Sequence, residues 1–331
     1  MKSKKFFGKS TTIIIIVLAV LILSLLVTIS NQRQNQLPAY QNTETAGSPV
    51  ATVYQEDCTE YISDVLPYSI NVPSAWRYVV QDNRPAFVNE ADGATVKFIN
   101  MPYDPTINMV SKATLEMDIN DANGTLIDFA KISASSYLSL YEISGIYYLE
   151  YTVWDRCNIV RIVFMYRGED ASYYTEYAKY LLESFNWERA DPIPDGYYIY
   201  YNEFGNFEFG VPEAWDTYID NGMFTAISPN QSYMICSVTK SENTFQNIDI
   251  AQFVEIYLPN ITEYNVITFQ NTGAVIVAEI SYYANNVEYR FVGNAATNNG
   301  YIYEFALLCS TNYYSTDGAA YIQSLELFQV F

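Results

Sequence analysis

The chain has 331 residues with 17 Lys+Arg against 37 Asp+Glu and no histidine, a net charge of −20. Without histidine there is no Ser-His-Asp or Cys-His nucleophile and no His-ligated metal, which leaves carboxylate, tyrosine, lysine or cysteine chemistry. So acidic a chain is repelled by phosphate backbones, which excludes nucleic acid as a partner.

Residues 1–9 carry Lys2, Lys4, Lys5 and Lys9 and read as a basic cytoplasmic stub. Residues 10–30 are uncharged, and 13–29 are broken only by Ser24 and Thr28. At 1.5 Å per residue that apolar core gives roughly 26 Å, enough to span a bilayer. No Ala-x-Ala site and no lipidation cysteine follows it, so an uncleaved, single-pass anchor is expected. The lysines stay inside, which places the rest of the chain outside the cell membrane. Residues 31–52 are polar and without periodicity, a stalk, and 188–196, with two prolines, form a stiff linker between domains over 53–187 and 197–331.

The two domains repeat one another. Tyr68-Ser-Ile-Asn-Val-Pro-Ser-Ala-Trp76 returns as Phe207-Glu-Phe-Gly-Val-Pro-Glu-Ala-Trp215. Each string opens on a strand whose alternate residues, Tyr68, Ile70 and Val72 or Phe207, Phe209 and Val211, point one way. Strands follow at 86–90 and 95–101, matched by 224–227 and 232–238. In the second domain a helix carries Ile250, Phe253, Val254, Tyr257 and Leu258 behind Asn247 and Asp249. In the first, Thr125-x-x-Asp128 marks its counterpart, with Leu126, Phe129 and Ala130 inward. Ser144-Gly145 and Thr272-Gly273 then enter β-rich stretches, a three-stranded meander over 274–283, 287–295 and 301–310 in the second domain and a shortened one in the first. Terminal helices start at Tyr173-Tyr174 and Tyr313-Tyr314, with stripes of Tyr174, Ala178, Leu181 and Phe185, and of Tyr314, Gly318, Tyr321 and Leu325.

Trp76 and Trp215 are candidate stacking platforms, though their recurrence in a Val-Pro setting favours a structural anchor. Tyrosine occurs 32 times, often in pairs such as Tyr147-Tyr148 and Tyr282-Tyr283. On a strand one tyrosine of each pair packs and the other faces solvent, which makes Tyr147 and Tyr282 candidate contact residues. The cysteines divide two per domain, and Cys58 with Cys157 and Cys236 with Cys309 are either disulfides or buried thiols. No CxxC occurs, so no thiol oxidoreductase or structural zinc is expected. Ser237-Val-Thr-Lys240 imitates an acyl-serine motif but ends a strand, where that chemistry needs a helix start. Asp118-Ile-Asn-Asp-Ala-Asn-Gly124 imitates a calcium loop with its glycine and glutamate positions wrong, and reads as a turn. No cofactor or metal is expected.

The apolar strand closing on Val-Pro-x-x-Trp, the meander, and the last helix leading into Ser184-Phe185 or Ser324-Leu325 resemble the PsbP-like superfamily, which includes the Ran-binding Mog proteins. The resemblance covers about 55–331 in two copies. It implies an α+β fold, an antiparallel sheet flanked by helices as an α/β/α sandwich, in each domain. It also implies binding or assembly work without a shared active site.

The expectation is a membrane-anchored extracytoplasmic protein that binds an envelope protein or cell-wall component and catalyses nothing. The alternative is a glycan-directed protein, a cell-wall binding module or a hydrolase working with two carboxylates. A third reading is a sensor whose partner carries the signal.

Overall fold

The computed structural model describes residues 57–168 and 171–331. The expected stub, anchor and stalk lie outside the described residues, among which no helix is long and apolar enough to cross a membrane.

In chain order the first half runs β1 (Cys58–Ile62), β2 (Tyr68–Pro73), β3 (Arg77–Gln81), β4 (Arg84–Val88), β5 (Thr95–Pro102), a 3₁₀ turn (Pro105–Met109), α1 (Lys112–Asp121), β6 (Gly124–Ser133), β7 (Ser136–Ile143), β8 (Ile146–Trp154), β9 (Asn158–Arg167), α2 (Ala171–Leu182) and β10 (Asn186–Trp187). The second half runs β11 (Tyr197–Asn202), β12 (Phe207–Pro212), β13 (Asp216–Asp220), β14 (Met223–Ile227), β15 (Tyr233–Lys240), α3 (Ile250–Tyr257), β16 (Tyr264–Asn271), β17 (Val275–Ala284), β18 (Val287–Asn298), β19 (Tyr301–Ser310), a 3₁₀ turn (Thr311–Tyr313), α4 (Tyr314–Glu326) and β20 (Gln329–Val330). Among the described residues, 57–214 with 323–331 form one compact unit and 215–322 the other.

Each unit is built on a seven-stranded antiparallel sheet, and the two sheets have one strand order, β3-β4-β5-β9-β8-β7-β6 and β13-β14-β15-β19-β18-β17-β16. Two-residue hairpins close five of the connections, with positive φ at both Asp82-Asn83, Ser144-Gly145, Asn221-Gly222, Asn285-Asn286 and Asn299-Gly300. Both central residues of such a turn are left-handed, which is why Asn and Gly recur there. The Val-Pro strands are not part of the large sheets. β2 is the middle of a three-stranded sheet β1-β2-β10, and β12 of a sheet β11-β12-β20.

The expectation of a shortened first meander is corrected. β6, β7, β8 and β9 match β16, β17, β18 and β19 strand for strand, and Ser144-Gly145 answers to Asn285-Asn286 rather than to Thr272-Gly273. The helix expected at Thr125 is the strand β6. Its register breaks between Leu126 and Asp128 and again between Lys131 and Ser133, which blurs the alternation. The true helix, α1, starts eleven residues after Met101, where Ser111 and Thr114 form a reciprocal capping box. It escapes a periodicity reading because Ile119 is its one buried residue. The second-domain helix is as expected, with Asp249 as N-cap and Phe253 and Val254 buried.

The core of the first unit lies between its large sheet, β2 and α2. Phe98, Leu149, Ile162, Phe164, Tyr177 and Leu181 are all nearly inaccessible there. Burying such side chains contributes about 1.5–3 kcal/mol each. Asp155, fully buried, holds the β8–β9 turn by accepting from the backbone N–H groups of Cys157, Asn158 and Ala190. In the second unit Asp317 plays a like part, accepting from the side chains of Ser228, Ser232 and Asn230.

Candidate functional site

The pleat sends alternate residues of a strand to opposite faces. In the first sheet Phe98, Ile162 and Phe164 go to the core under α2, so Ile99, Arg161 and Val163 go to the other face, beneath α1. Strand pairing sets Thr152 beside Arg161, Tyr137 beside Thr152, and Ser139 beside Glu150. This face is polar for an interior one, and a cavity of about 470 Å³ opens between it and α1.

Its floor is Tyr137, Tyr141 and Ile143 of β7, Glu150 of β8 and Arg161 of β9. Met109 and Val110, with Leu115, Ile119 and Ala122 of α1 and its C-terminus, make apolar walls, while Asp118 and Glu203 stand exposed at the rim. Glu150 accepts from Thr152 Oγ1 at 2.8 Å and from Tyr141 Oη at 3.2 Å. Arg161 Nε lies 3.6 Å from Glu150 Oε1, a charge contact too long for a hydrogen bond. Among the described residues, Arg161 Nε is buried with no hydrogen-bond partner, and so is Ser139 Oγ. Unmet donors in such a place cost about 1–3 kcal/mol each unless something else satisfies them.

α1 is set over this floor by a close backbone approach at its end. A Cβ on Gly124 would meet the Glu142 carbonyl oxygen at 2.6 Å and Ile119 Cγ2 at 2.9 Å, so glycine is required where the helix turns into β6. The 3₁₀ turn that supplies Met109 is fixed by a half-buried network. Trp154 Nε1 donates to Asn108 Oδ1 at 3.1 Å, Asn108 Nδ2 donates to Tyr103 Oη at 2.7 Å, and Tyr103 Oη donates to Glu208 Oε2 at 2.6 Å. Arg156 completes it, giving hydrogen bonds to Glu208 Oε1 and to Gln329 Oε1. Burial pushes the Glu208 carboxyl above its usual range, and the hydrogen bonds from Tyr103 and Arg156 with the Arg156 charge only partly oppose this. Tyr103 is pushed up as well, by burial first and then by Glu208.

The second sheet handles the same face differently. Where the first has Glu150, the second has Gly293, opposite Ala306. A Cβ on Gly293 would meet Phe253 Cζ at 3.0 Å, because the Phe253 ring of α3 lies over that point. Phe269, Phe291 and Tyr257 surround it. Glu304 is capped at 2.6 Å by both Tyr257 Oη and Ser237 Oγ. Aromatic packing thus occupies in the second sheet what is open in the first.

The residues singled out in the sequence are not brought together. Trp76 and Trp215 are 7% and 8% exposed and present no open ring face for stacking. Trp76 meets the Tyr174 ring edge-on and anchors the strand end to α2. Tyr282 is buried against Tyr289, and half-buried Tyr147 stacks on Tyr166. Neither offers a free ring to a partner. Cys236 and Cys309 are not joined. Cys236 pairs with Phe305 across β15 and β19, which leaves Cys309 four positions further along, roughly 13 Å, beyond the reach of a disulfide. Cys157 carries a free, exposed thiol in the β8–β9 turn, so the Cys58–Cys157 bridge is not formed either, and Cys58 packs on the first core. Ser237 and Lys240 lie in β15, and Asp118 lies in the last turns of α1 with Asn123, at φ 57°, turning the chain into β6. Among the described residues no three Asp, Glu or Cys come together to hold a metal ion.

Sequence reasoning missed the cavity residues because no motif joins them. The available signal was a lone charge inside an apolar strand, Arg161 in Asn-Ile-Val-Arg-Ile-Val-Phe and Glu150 in Ile-Tyr-Tyr-Leu-Glu-Tyr-Thr.

No protein-family model and no curated protein matches the chain. Among solved structures it is similar to cyanobacterial PsbP (CyanoP) from Synechocystis sp. PCC 6803, at 13% identity and a TM-score of 0.32, over 42% of this chain and 95% of that one. It is also similar to the T6SS immunity protein TplEi from Pseudomonas aeruginosa, complexed with a peptide, at 10% identity and a TM-score of 0.26, over 82% of this chain and 98% of that one. A third likeness is to the Tle4–Tli4 complex, at 9% identity and a TM-score of 0.26 over 82% of this chain and 97% of that one. All three lie below a TM-score of 0.5, and the chemistry of the site rests on its own residues.

Proposed function

We propose that this chain is a membrane-anchored, extracytoplasmic binding protein with two tandem PsbP-like domains, that it catalyses no reaction, and that the cavity under α1 is its ligand site. One observation carries the reading: Arg161, whose Nε has no hydrogen-bond partner among the described residues, lines a cavity of about 470 Å³, where the second sheet fills the matching space with Phe253. Cavities of this size suit a small molecule or a short segment of a larger one. The common strand order of the two sheets supports the duplication, and the lysines and apolar run at the amino terminus support the anchor. The absence of histidine supports a binding role over catalysis. A glycan-binding module that stacks sugars on Trp76 and Trp215 would need those rings exposed, and both are buried. The partner expected is a component of the envelope.

Native mass spectrometry of the full chain, isolated in detergent from its own cells, tests this. A co-isolated small ligand that disappears in Arg161→Met supports the reading. A bare protein mass that stays bare on adding envelope extract contradicts it.

A further inference from the structure

The charges of the cavity narrow its ligand. We propose that it takes a zwitterionic α-amino acid with an apolar side chain, an inference that rests on reading the cavity as the ligand site. Arg161 and Glu150 stand side by side at 3.6 Å on the floor, close enough to feel one another and too far apart to hydrogen-bond. An α-amino acid carries its own carboxylate and ammonium one carbon apart and can meet both groups at once. The guanidinium offers a planar fork to the carboxylate, as bidentate pairs require. Glu150 accepts two hydrogen bonds and keeps lone pairs for an ammonium.

The rest of the lining argues against simpler ligands. Asp118, Glu150 and Glu203 face one Arg161, so a plain anion meets an excess of negative charge. A plain amine leaves the Arg161 donors unmet. Val110, Leu115, Ile119 and Ile143 present aliphatic walls to the remaining part of the ligand, which favours a branched or aromatic side chain over a charged one.

Isothermal titration calorimetry on the full chain in detergent micelles at pH 7 provides the test, with L-leucine and L-phenylalanine as probes and 4-methylpentanoate and 3-methylbutylamine as half-molecules. The expected result is that one of the amino acids binds at least tenfold more tightly than either half-molecule, and that Arg161→Met and Glu150→Gln each lose at least tenfold. Leu115→Trp, which fills the cavity from the helix side and leaves every residue of the sheet unchanged, should give the same loss and guards against a floor variant that misfolds. Equal binding of 4-methylpentanoate, or no binding by either amino acid, overturns the assignment. If the amino acids fail while a co-isolated ligand is still lost in Arg161→Met, the class is wrong and the site stands. If no ligand of any kind is held, both readings fall.

Discussion

Arg161 and Glu304 occupy the same point of two sheets of identical strand order: each is the fourth residue of a ten-residue strand and faces the fifth residue of an eight-residue neighbour, Ile99 or Ser237. One faces a cavity with its Nε unpartnered; the other is capped by Tyr257 and Ser237. The difference separates a face kept open from a face closed by packing. Opposite consequences for stability follow.

Replacing Arg161 should not harm the fold. Its side chain is about a third exposed and its contact with Glu150 is long, so screening leaves the pair worth about 0–1 kcal/mol. Arg161→Met also removes an unmet donor. Urea denaturation should show an unfolding free energy within about 1 kcal/mol of wild type, and a loss above about 2 kcal/mol would give Arg161 a structural role.

Phe253→Ala should be costly. The ring is 1% exposed and packs between Phe269 and Phe291, and its removal empties a space that Gly293 does not refill. The expected loss is about 3–5 kcal/mol. A matching truncation on the first sheet's helix, Leu115→Ala, should cost clearly less, because Leu115 already lines a cavity.

Glu208 gives a pH signature. Its carboxyl is held above the usual 4.5, so the folded chain binds this proton more tightly than the unfolded one. The group's contribution is then present below the unfolded value and is lost as pH rises through the folded one. The stability of wild type relative to Glu208→Gln should therefore fall as pH rises above about 4.5. A relative stability that climbs with pH across that range would mean that the Arg156 ion pair outweighs burial.

The thiols should separate by burial. Cys236 and Cys309 are buried, and burial, with the Asp317 charge, pushes the Cys309 thiol up to about 12. A thiol reagent at pH 8 should therefore modify Cys157 in the native chain, with Cys236 and Cys309 reacting only on unfolding. Rapid native modification of Cys309 would contradict the packing of β19.

The parts of the fold that were legible in the sequence are those written in local pattern. The Val-Pro-x-Ala-Trp strings mark β2 and β12, and Asp249 with Phe253 and Val254 marks α3. α1 was hidden because a helix laid over a cavity buries Ile119 alone and needs no apolar stripe. β6 was misread because two register breaks on an edge strand erase its period. The site was hidden for a different reason. Glu150 and Arg161 meet only through the pairing of β8 with β9, and what makes their face a site is the aromatic ring that the first unit lacks and the second has at Phe253. The aromatic pairs drew attention instead, and the packing uses most of those rings internally.

Hydrogen exchange on the full chain, with and without the small-molecule fraction of its own envelope, shows whether the cavity under α1 holds a ligand. Ligand held under α1 should slow exchange over 105–122 and at β7 to β9, and leave 250–257 unchanged. No change over 105–122, or protection that falls on 250–257 instead, would mean that the cavity under α1 is not a ligand site.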